Sequence, residues 1–341
     1  MSKTSVGVEI TEESVRAVEL TVGRAPRVLA FGEVALPPDA AKDSEIIDEG
    51  AVAVALRQLW TGAGIKGRSV TLGIASRRVL VREYSTAAMP PDVLRKALPF
   101  QVQDLLPVPV SQAVLDYYPT SEQDGQLHGL LVAAVADTVE QLISAFTRTK
   151  LRVNAVDLTA FGLARAGRAV ARSGTVAVVH VGDHTTQIVI MRDGIPDFVR
   201  ILPADLETAA VRRRMMNTAD DVLAAPVLEL AGSVVGSAGV LSRGALRADV
   251  GGRPAADLVA RLRSTLAFYL NRSGAVPIEQ VLLTGAGAIV DGVHDGMQEP
   301  GGPPVRLIAL PDVTVMRDAQ PAGDLALNLV STAGLALGKE S

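Results

Sequence analysis

The chain has 341 residues, enough for two or three domains around a sizeable core, and no cysteine, which excludes disulfide staples, thiol catalysis and thiolate metal sites. A balance of 33 basic against 37 acidic residues leaves a net charge of −4, which argues against a chain that holds nucleic acid by a basic field, and the 4 histidines are scattered rather than grouped as in a metal centre. Apolar residues reach 48% while aromatics stop at 3%, so the core is aliphatic, as in buried sheets covered by helices.

The pattern opens with a hairpin signal: Val6, Val8 and Ile10, then Val15, Ala17 or Val18 and Leu20, predict short strands at 6–8 and 14–20 around ITEE. Asp43 or Ser44 is expected to cap a helix that carries Val52, Leu56, Leu59 and Trp60 at helical spacing and ends at Gly62 and Gly64. A strand at 69–75 follows. From Pro90 and Pro91 the sequence predicts a helix interrupted by Pro99 and stopped at Pro107. A buried strand then leads into a helix with Val139, Leu142, Ile143 and Phe146 on one face and an Asp137/Glu140 capping box. RVNAVDLTAFGLARA repeats strand then helix, and this alternation predicts an α/β fold.

At Thr175 the pattern restarts. TVAVVHVG reads as a continuous apolar strand, TTQIVIMRDG as a second and DFVRIL as a third, so the second half opens with hairpins as the first does. The segment 203–253 contains the run Arg212, Arg213 and Arg214, read as a solvated helix face, and the longest nearly apolar stretch, 225–241. That stretch includes Glu229 and is shorter than the roughly 20 apolar residues that span a bilayer, so it predicts a buried core helix. Leu258, Leu262, Leu266 and Tyr269 mark a helix, IEQVLLTGAGAIVDGV a strand, glycine turn and helix start, and DLALNLVSTAGLALG a final apolar helix. MSKTSVGVEI has no signal-peptide core, and a cytoplasmic location without membrane insertion is expected.

Three turns could carry chemistry: ITEES, VGDHTT and TGAGA, each ending an apolar strand. Small or hydroxyl residues there let backbone N–H groups approach a phosphate or nucleoside, although an ordinary turn uses the same residues. Two hairpin turns followed by a strand–GxG–helix turn is the layout of actin-like ATPases. VGVEITEESVRAVEL, FQVQDLLPVPVSQAVLDYYPT and LLVAAVADTVEQLISAFTRTKLRVNAVDLTAFGLARA resemble the PilM family of type IV pilus assembly, a relative of the division protein FtsA. The likeness covers 6–20, 70–200 and 278–337.

This resemblance implies an actin-like (ASKHA, ribonuclease H-like) fold with two lobes. The first would span 1–174, with a core of 1–85 and 153–174 and an inserted 1C subdomain at 86–152. The second would span 175–341, with a 2A part at 175–203 and 275–341 and a reduced 2B part at 204–274. It implies ATP with Mg²⁺ in the cleft, held by Thr11, Glu12, Gly182, Thr185, Thr186, Gly285, Ala286 and Gly287, with Glu9 toward the metal. It also implies that the N-terminal peptide of a PilN-like bitopic inner-membrane protein binds near Leu105, Leu106 and Val108. The same likeness points to pilus motor ATPases as further partners and leaves self-association open.

Departures from the family pattern weaken the nucleotide expectation. Thr11, Glu12 and Glu13 stand where the first phosphate turn usually has Gly and Ser, and two carboxylates beside a triphosphate predict repulsion. His180 stands where the second hairpin's strand usually ends in an acid, and the Glu and Lys helix motif that flanks adenosine is missing. ATP binding is therefore expected to be weak or lost, with at most weak ATPase activity. The expected function is a cytoplasmic adaptor. The alternatives are a phosphotransferase of the same fold, which needs a base carboxylate facing a substrate hydroxyl, and an FtsA-like filament, against which GLALGKES lacks an amphipathic targeting helix.

Overall fold

The computed structural model describes residues 3–224, 252–272, 274–316 and 320–338. The first hairpin forms where the apolar pattern places it: Thr4–Ile10 pairs antiparallel with Ser14–Thr21, and Val28–Ala35 adds a third antiparallel strand. Ser69–Ile74 and Arg152–Leu158 join in parallel on the other side of Thr4–Ile10. The second half repeats the scheme. Thr175–Val181, Thr185–Arg192 and Ile195–Pro203 form an antiparallel meander, and Gln280–Thr284 and Val305–Leu307 add in parallel beside its first strand. Each of the two five-stranded sheets thus runs third, second, first, fourth, fifth, and the two opening hairpins lie in separate sheets in equivalent places. Every residue of Thr175–Val181 is buried, which is why that strand reads as an unbroken apolar run.

Two helices tie the sheets together. Thr159–Val170 leaves the first sheet and packs on Thr175–Val181 and Thr185–Arg192, whereas Gly323–Ala336, which follows the second sheet, packs on Thr4–Ile10 and Ser14–Thr21. Their backbones touch at Gly162 and Gly334, where a Cβ on Gly334 would overlap the Gly162 carbonyl. Between the fourth and fifth strands of the first sheet sits a smaller antiparallel sheet, with Gln126–Val135 between Leu80–Ala87 and Ala113–Gln123. Leu94, Leu98 and Val102 of the helix Pro91–Val102 pack against Leu131 of its central strand.

Several local expectations are corrected. The helix Pro91–Val102 runs through Pro99 and gives way to a 3₁₀ turn at Gln103–Leu105, because burial of Leu94, Leu98 and Val102 at four-residue spacing outweighs the one lost hydrogen bond. Asp43 and Ser44 have φ of 50° and 60° and form the tip of a tiny ladder, Ala41–Lys42 with Glu45–Ile46. The cap of the helix Glu49–Gly62 is instead Asp48, whose carboxylate accepts the Ala51 N–H at 3.0 Å. The helix Ala136–Thr147 starts directly from a strand, so Val135 takes the cap position and no capping box forms. The apolar run 225–241 lies outside the described residues, and among the described residues no helix is long and apolar enough to cross a membrane.

Candidate functional site

Strand register decides what faces the space between the two sheets. Glu9 lies opposite Arg16, and Arg16 lies opposite Glu33, so three adjacent strands carry a row of alternating charge across the sheet. Arg16 is only 2% exposed, and a buried charge persists only where it is paired. Its Nε donates to Glu33 Oε1 at 2.7 Å, and its Nη2 reaches Asp183 Oδ2 in the second half at 3.3 Å. Burial opposes the charge, but Glu33 and Asp183 outweigh it and raise the pKa further. Glu33 is itself held below the usual carboxylate range: burial works against ionisation, yet Arg16 and the Ser14 hydroxyl at 2.7 Å prevail. Asp183 Oδ1 accepts the Thr208 hydroxyl at 2.5 Å.

A second link runs alongside. Glu13 Oε1 lies 2.9 Å from His184 Nε2 and accepts from Arg214 Nη1 at 2.9 Å. Burial works against ionisation of Glu13, but these two partners hold its pKa low, and the bond to Glu13 raises that of His184. The two links together clasp the first hairpin to the second-half turn 182–185 and to the helix Ala209–Ala224. Arg214 therefore does not sit on a solvated face, as the arginine run suggested: packing carries it onto a buried carboxylate.

The cleft brings most of the expected residues together. Glu9, Thr11, Glu12, Gly182 and Thr185 line one cavity with Arg16, Asp43, Asp183 and His184, and Thr186 lies buried beside it. Its enclosed volume is about 30 Å³, room for roughly two waters. Three backbone donors of the first turn are bonded within it: the Thr11 N–H donates to the Ser14 carbonyl, and the N–H groups of Glu13 and Ser14 donate to the Thr11 hydroxyl. The Gly182 N–H donates to the Thr185 carbonyl at 2.9 Å.

Gly285, Ala286 and Gly287 are at the strand-to-helix turn, as expected, but not in the lining of that cavity. A Cβ on Gly285 would overlap the Val181 carbonyl, which explains the glycine at φ 87°. The Ala286 N–H is taken by Asn328 Oδ1 at 2.8 Å, and the buried Leu206 packs over Gly287.

Glu9 Oε2 accepts the Ser331 hydroxyl at 2.8 Å and also the Thr332 hydroxyl, and burial pushes its pKa up. Among the described residues no group of three or more His, Asp or Glu stands together as a metal site. The two glutamates of the first turn do not act alike. Glu12 faces the cavity and accepts the Asp43 N–H at 3.0 Å, whereas Glu13 turns to His184 and Arg214. The expected pair of repelling carboxylates is thus reduced to one. The acid of the second hairpin is supplied by Asp183, three residues beyond His180. Burial, with help from Arg16, depresses His180 to about 3, so it is neutral, and its Nδ1 has no hydrogen-bond partner among the described residues.

Sequence reasoning missed Arg16, Glu33, Asp183, His184 and Arg214. Charged residues at 9, 16 and 33 inside largely apolar strands were the available signal, since a buried strand charge demands a partner. For the peptide site, Leu105 is 36% exposed at the end of the 3₁₀ turn, while Leu106 is half-buried against the cluster of Leu94, Leu98, Val102 and Leu131, and Val108 is half-buried. Beside them runs Ala113–Gln123, an edge strand of the inserted sheet, with Pro119 at its irregularity.

The model of the family described as type IV pilus assembly protein PilM matches residues 7–201, more than half of the chain. The chain belongs to the PilM family. The structure titled "PilM-PilN type IV pilus biogenesis complex" is similar at a TM-score of 0.75 and 20% identity, covering 98% of this chain and 97% of that one. The ethanolamine utilization protein EutJ from Carboxydothermus hydrogenoformans is similar at a TM-score of 0.51 and 13% identity, covering 99% and 90%. The fold is actin-like, as the repeated sheet order and these neighbours agree.

Proposed function

We propose that this PilM-family chain is a cytoplasmic adaptor that takes the N-terminal peptide of a PilN-like bitopic inner-membrane protein and so sits at the inner face of the membrane. Its cleft is closed by its own ion pairs and binds ATP with Mg²⁺ weakly or not at all. Family membership carries the first part. The peptide is received at the open edge of Ala113–Gln123, where main-chain pairing supplies affinity and Leu105, Leu106 and Val108 supply an apolar wall. Motor ATPases and further copies of the chain are secondary partners on this reading.

What supports the second part is that the groups a nucleotide would need are already engaged. The N–H groups of Thr11, Glu13, Ser14 and Gly182 are bonded within their turns, and the four cavity carboxylates have partners: Glu9 with Ser331, Glu12 with the Asp43 N–H, Asp43 with Arg77 and Asp183 with Arg16. The same engagement speaks against a phosphotransferase, for which no cavity carboxylate stands uncommitted as a base.

A labelled synthetic peptide, copied from the N-terminus of a PilN-like protein encoded beside this chain, tests the first part. Saturable binding weakened by Leu105→Asp is expected. Leu106→Asp is the poorer probe, because it also disrupts the packed cluster. Binding indifferent to Leu105→Asp removes this wall from the site, and no binding at all removes the adaptor reading. Calorimetry with Mg–ATP tests the second part: submicromolar binding by the wild type refutes the closed cleft, and binding gained only in Glu13→Ser supports it.

A further inference from the structure

At the opposite end of the first sheet from the cleft lies a second cavity, of about 380 Å³, lined by Leu56, Trp60, Leu151, Arg57, Arg68, Arg148 and Lys150, with Thr61 and Thr149 completing it. Arg68 immediately precedes Ser69–Ile74, whose Gly73 lines the cleft, and five strand residues put roughly 17 Å between the two. The floor is apolar and fixed. Leu56, Trp60 and Leu151 are buried, and the Trp60 Nε1–H donates to the Gly67 carbonyl at 2.8 Å. The buried Glu19 in turn holds the Lys66 and Gly67 N–H groups at 2.9 and 3.0 Å.

The rim is cationic. Arg148 has a carboxylate partner, Glu49 at 3.5 Å, but among the described residues Arg57, Arg68 and Lys150 have no carboxylate within 4.0 Å. In a chain of net charge −4, three uncompensated cations around one apolar concavity are a local inversion of the overall charge.

We propose that this cavity binds an acidic peptide segment of a partner protein, seating one apolar side chain on Leu56, Trp60 and Leu151 while flanking carboxylates meet Arg57, Arg68 and Lys150. The volume is in the range of a site for one or two side chains rather than a flat patch. A compact phosphate fits less well, because the helices Glu49–Gly62 and Ala136–Thr147 both direct their C-terminal ends here, and their partial negative charge disfavours a concentrated anion on the floor. Carboxylates carried on an extended peptide stay out at the rim.

Trp60 is the only tryptophan, so its emission reports on this site alone. The full chain, in buffer of about 50 mM salt, is titrated with the peptides EEDLLDEE and KKKLLKKK. The acidic peptide is expected to shift Trp60 emission saturably with a Kd below about 100 μM, and the basic one is not. The double variant Arg57→Glu/Lys150→Glu should raise that Kd about tenfold or more, and Arg57→Gln/Lys150→Gln, which keeps the surface polar, should raise it by a smaller factor. Thermal unfolding of both variants checks that the fold survives. The proposal is overturned by a flat response to the acidic peptide up to about 1 mM, by equal responses to both peptides, or by a Kd unchanged in both folded variants. It is equally overturned if inorganic phosphate or a short RNA gives the saturating response at lower concentration than the peptide.

Discussion

Replacing Arg16 by methionine tests the clasp most directly. Methionine keeps most of the aliphatic length and removes the charge, leaving Glu33 and Asp183 without their cation and Glu9 opposite an uncharged residue in register. Because Arg16 is 2% exposed, water cannot replace the lost partner, and removing one member of a buried pair costs about 3–5 kcal/mol. At about 2–4 °C per kcal/mol for a large domain, the melting temperature falls by about 6–20 °C.

The cost should depend on pH with a definite sign. In the wild type, Glu33 titrates below its ordinary value, so its contribution is present above about pH 4.5 and fades as pH falls through the lowered folded pKa. In the variant the buried Glu33 loses the cation that favours its ionised form, so burial favours the neutral carboxyl, which acidification restores. The gap between the two proteins is therefore widest near pH 8 and narrows toward pH 5. Urea unfolding followed by circular dichroism at both pH values measures it, and Arg16→Lys, which keeps the charge without the fork, should fall between. A variant within about 1 kcal/mol of wild type at pH 8, or a gap that does not narrow, refutes the clasp as a buried ion-pair network.

Three further outcomes follow from the same site and its supports. The pKa of His184 is raised by Glu13, so its contribution is complete below about pH 6.5 and is lost as pH climbs through the raised value; wild type should lose on the order of 1 kcal/mol between pH 6 and 8.5, and His184→Gln should not, as read from chemical denaturation. His180 is neutral in the folded protein down to about pH 3, so below about pH 6.5 the unfolded state gains a proton that the native state does not; His180→Gln should remove close to 1.4 kcal/mol of loss per pH unit between about pH 6 and 3. Gly334→Ala should destabilise by about 1–3 kcal/mol in a thermal-shift assay, because the new methyl meets the Gly162 backbone, whereas Gly62→Ala, with open space around it, should stay within about 0.5 kcal/mol.

Periodicity made the scaffold legible. Nearly apolar runs such as Thr175–Val181 can be read directly, because a central strand buried on both faces does not alternate with solvent-facing polar positions. The recurrence of the hairpin pattern at Thr175 announces the second sheet for the same reason. What was hidden depended on register and on long-range packing. Arg16 meets Glu33 because two strands align at that residue, and it meets Asp183 because the helices Thr159–Val170 and Gly323–Ala336 bring the two sheets together. Neither fact has a local signature. Pro99 failed as a helix breaker because burial of Leu94, Leu98 and Val102 on one face decided the outcome, and Asp43 failed as a cap because Asp48 stood nearer the first turn.

The equivalence of the two hairpins also shows where the symmetry between them stops. Glu9 of the first sheet faces Arg16 on one side and Gly73 on the other; in the same place of the second sheet, His180 faces Gln187 and Thr284. Arg16 therefore has a counter-charge in its own sheet but would repel a protonated His180, which is one reason that histidine stays neutral. The missing negative charge of the second half comes from Asp183 in the turn, and both of its oxygens are occupied, one by Arg16 and one by Thr208. Asp183 cannot turn toward a metal-bound phosphate without releasing Arg16 into a buried site. On the proposed reading, that coupling is what makes closure of the cleft independent of nucleotide: the cation that a triphosphate would bring is already present as a side chain of the first hairpin.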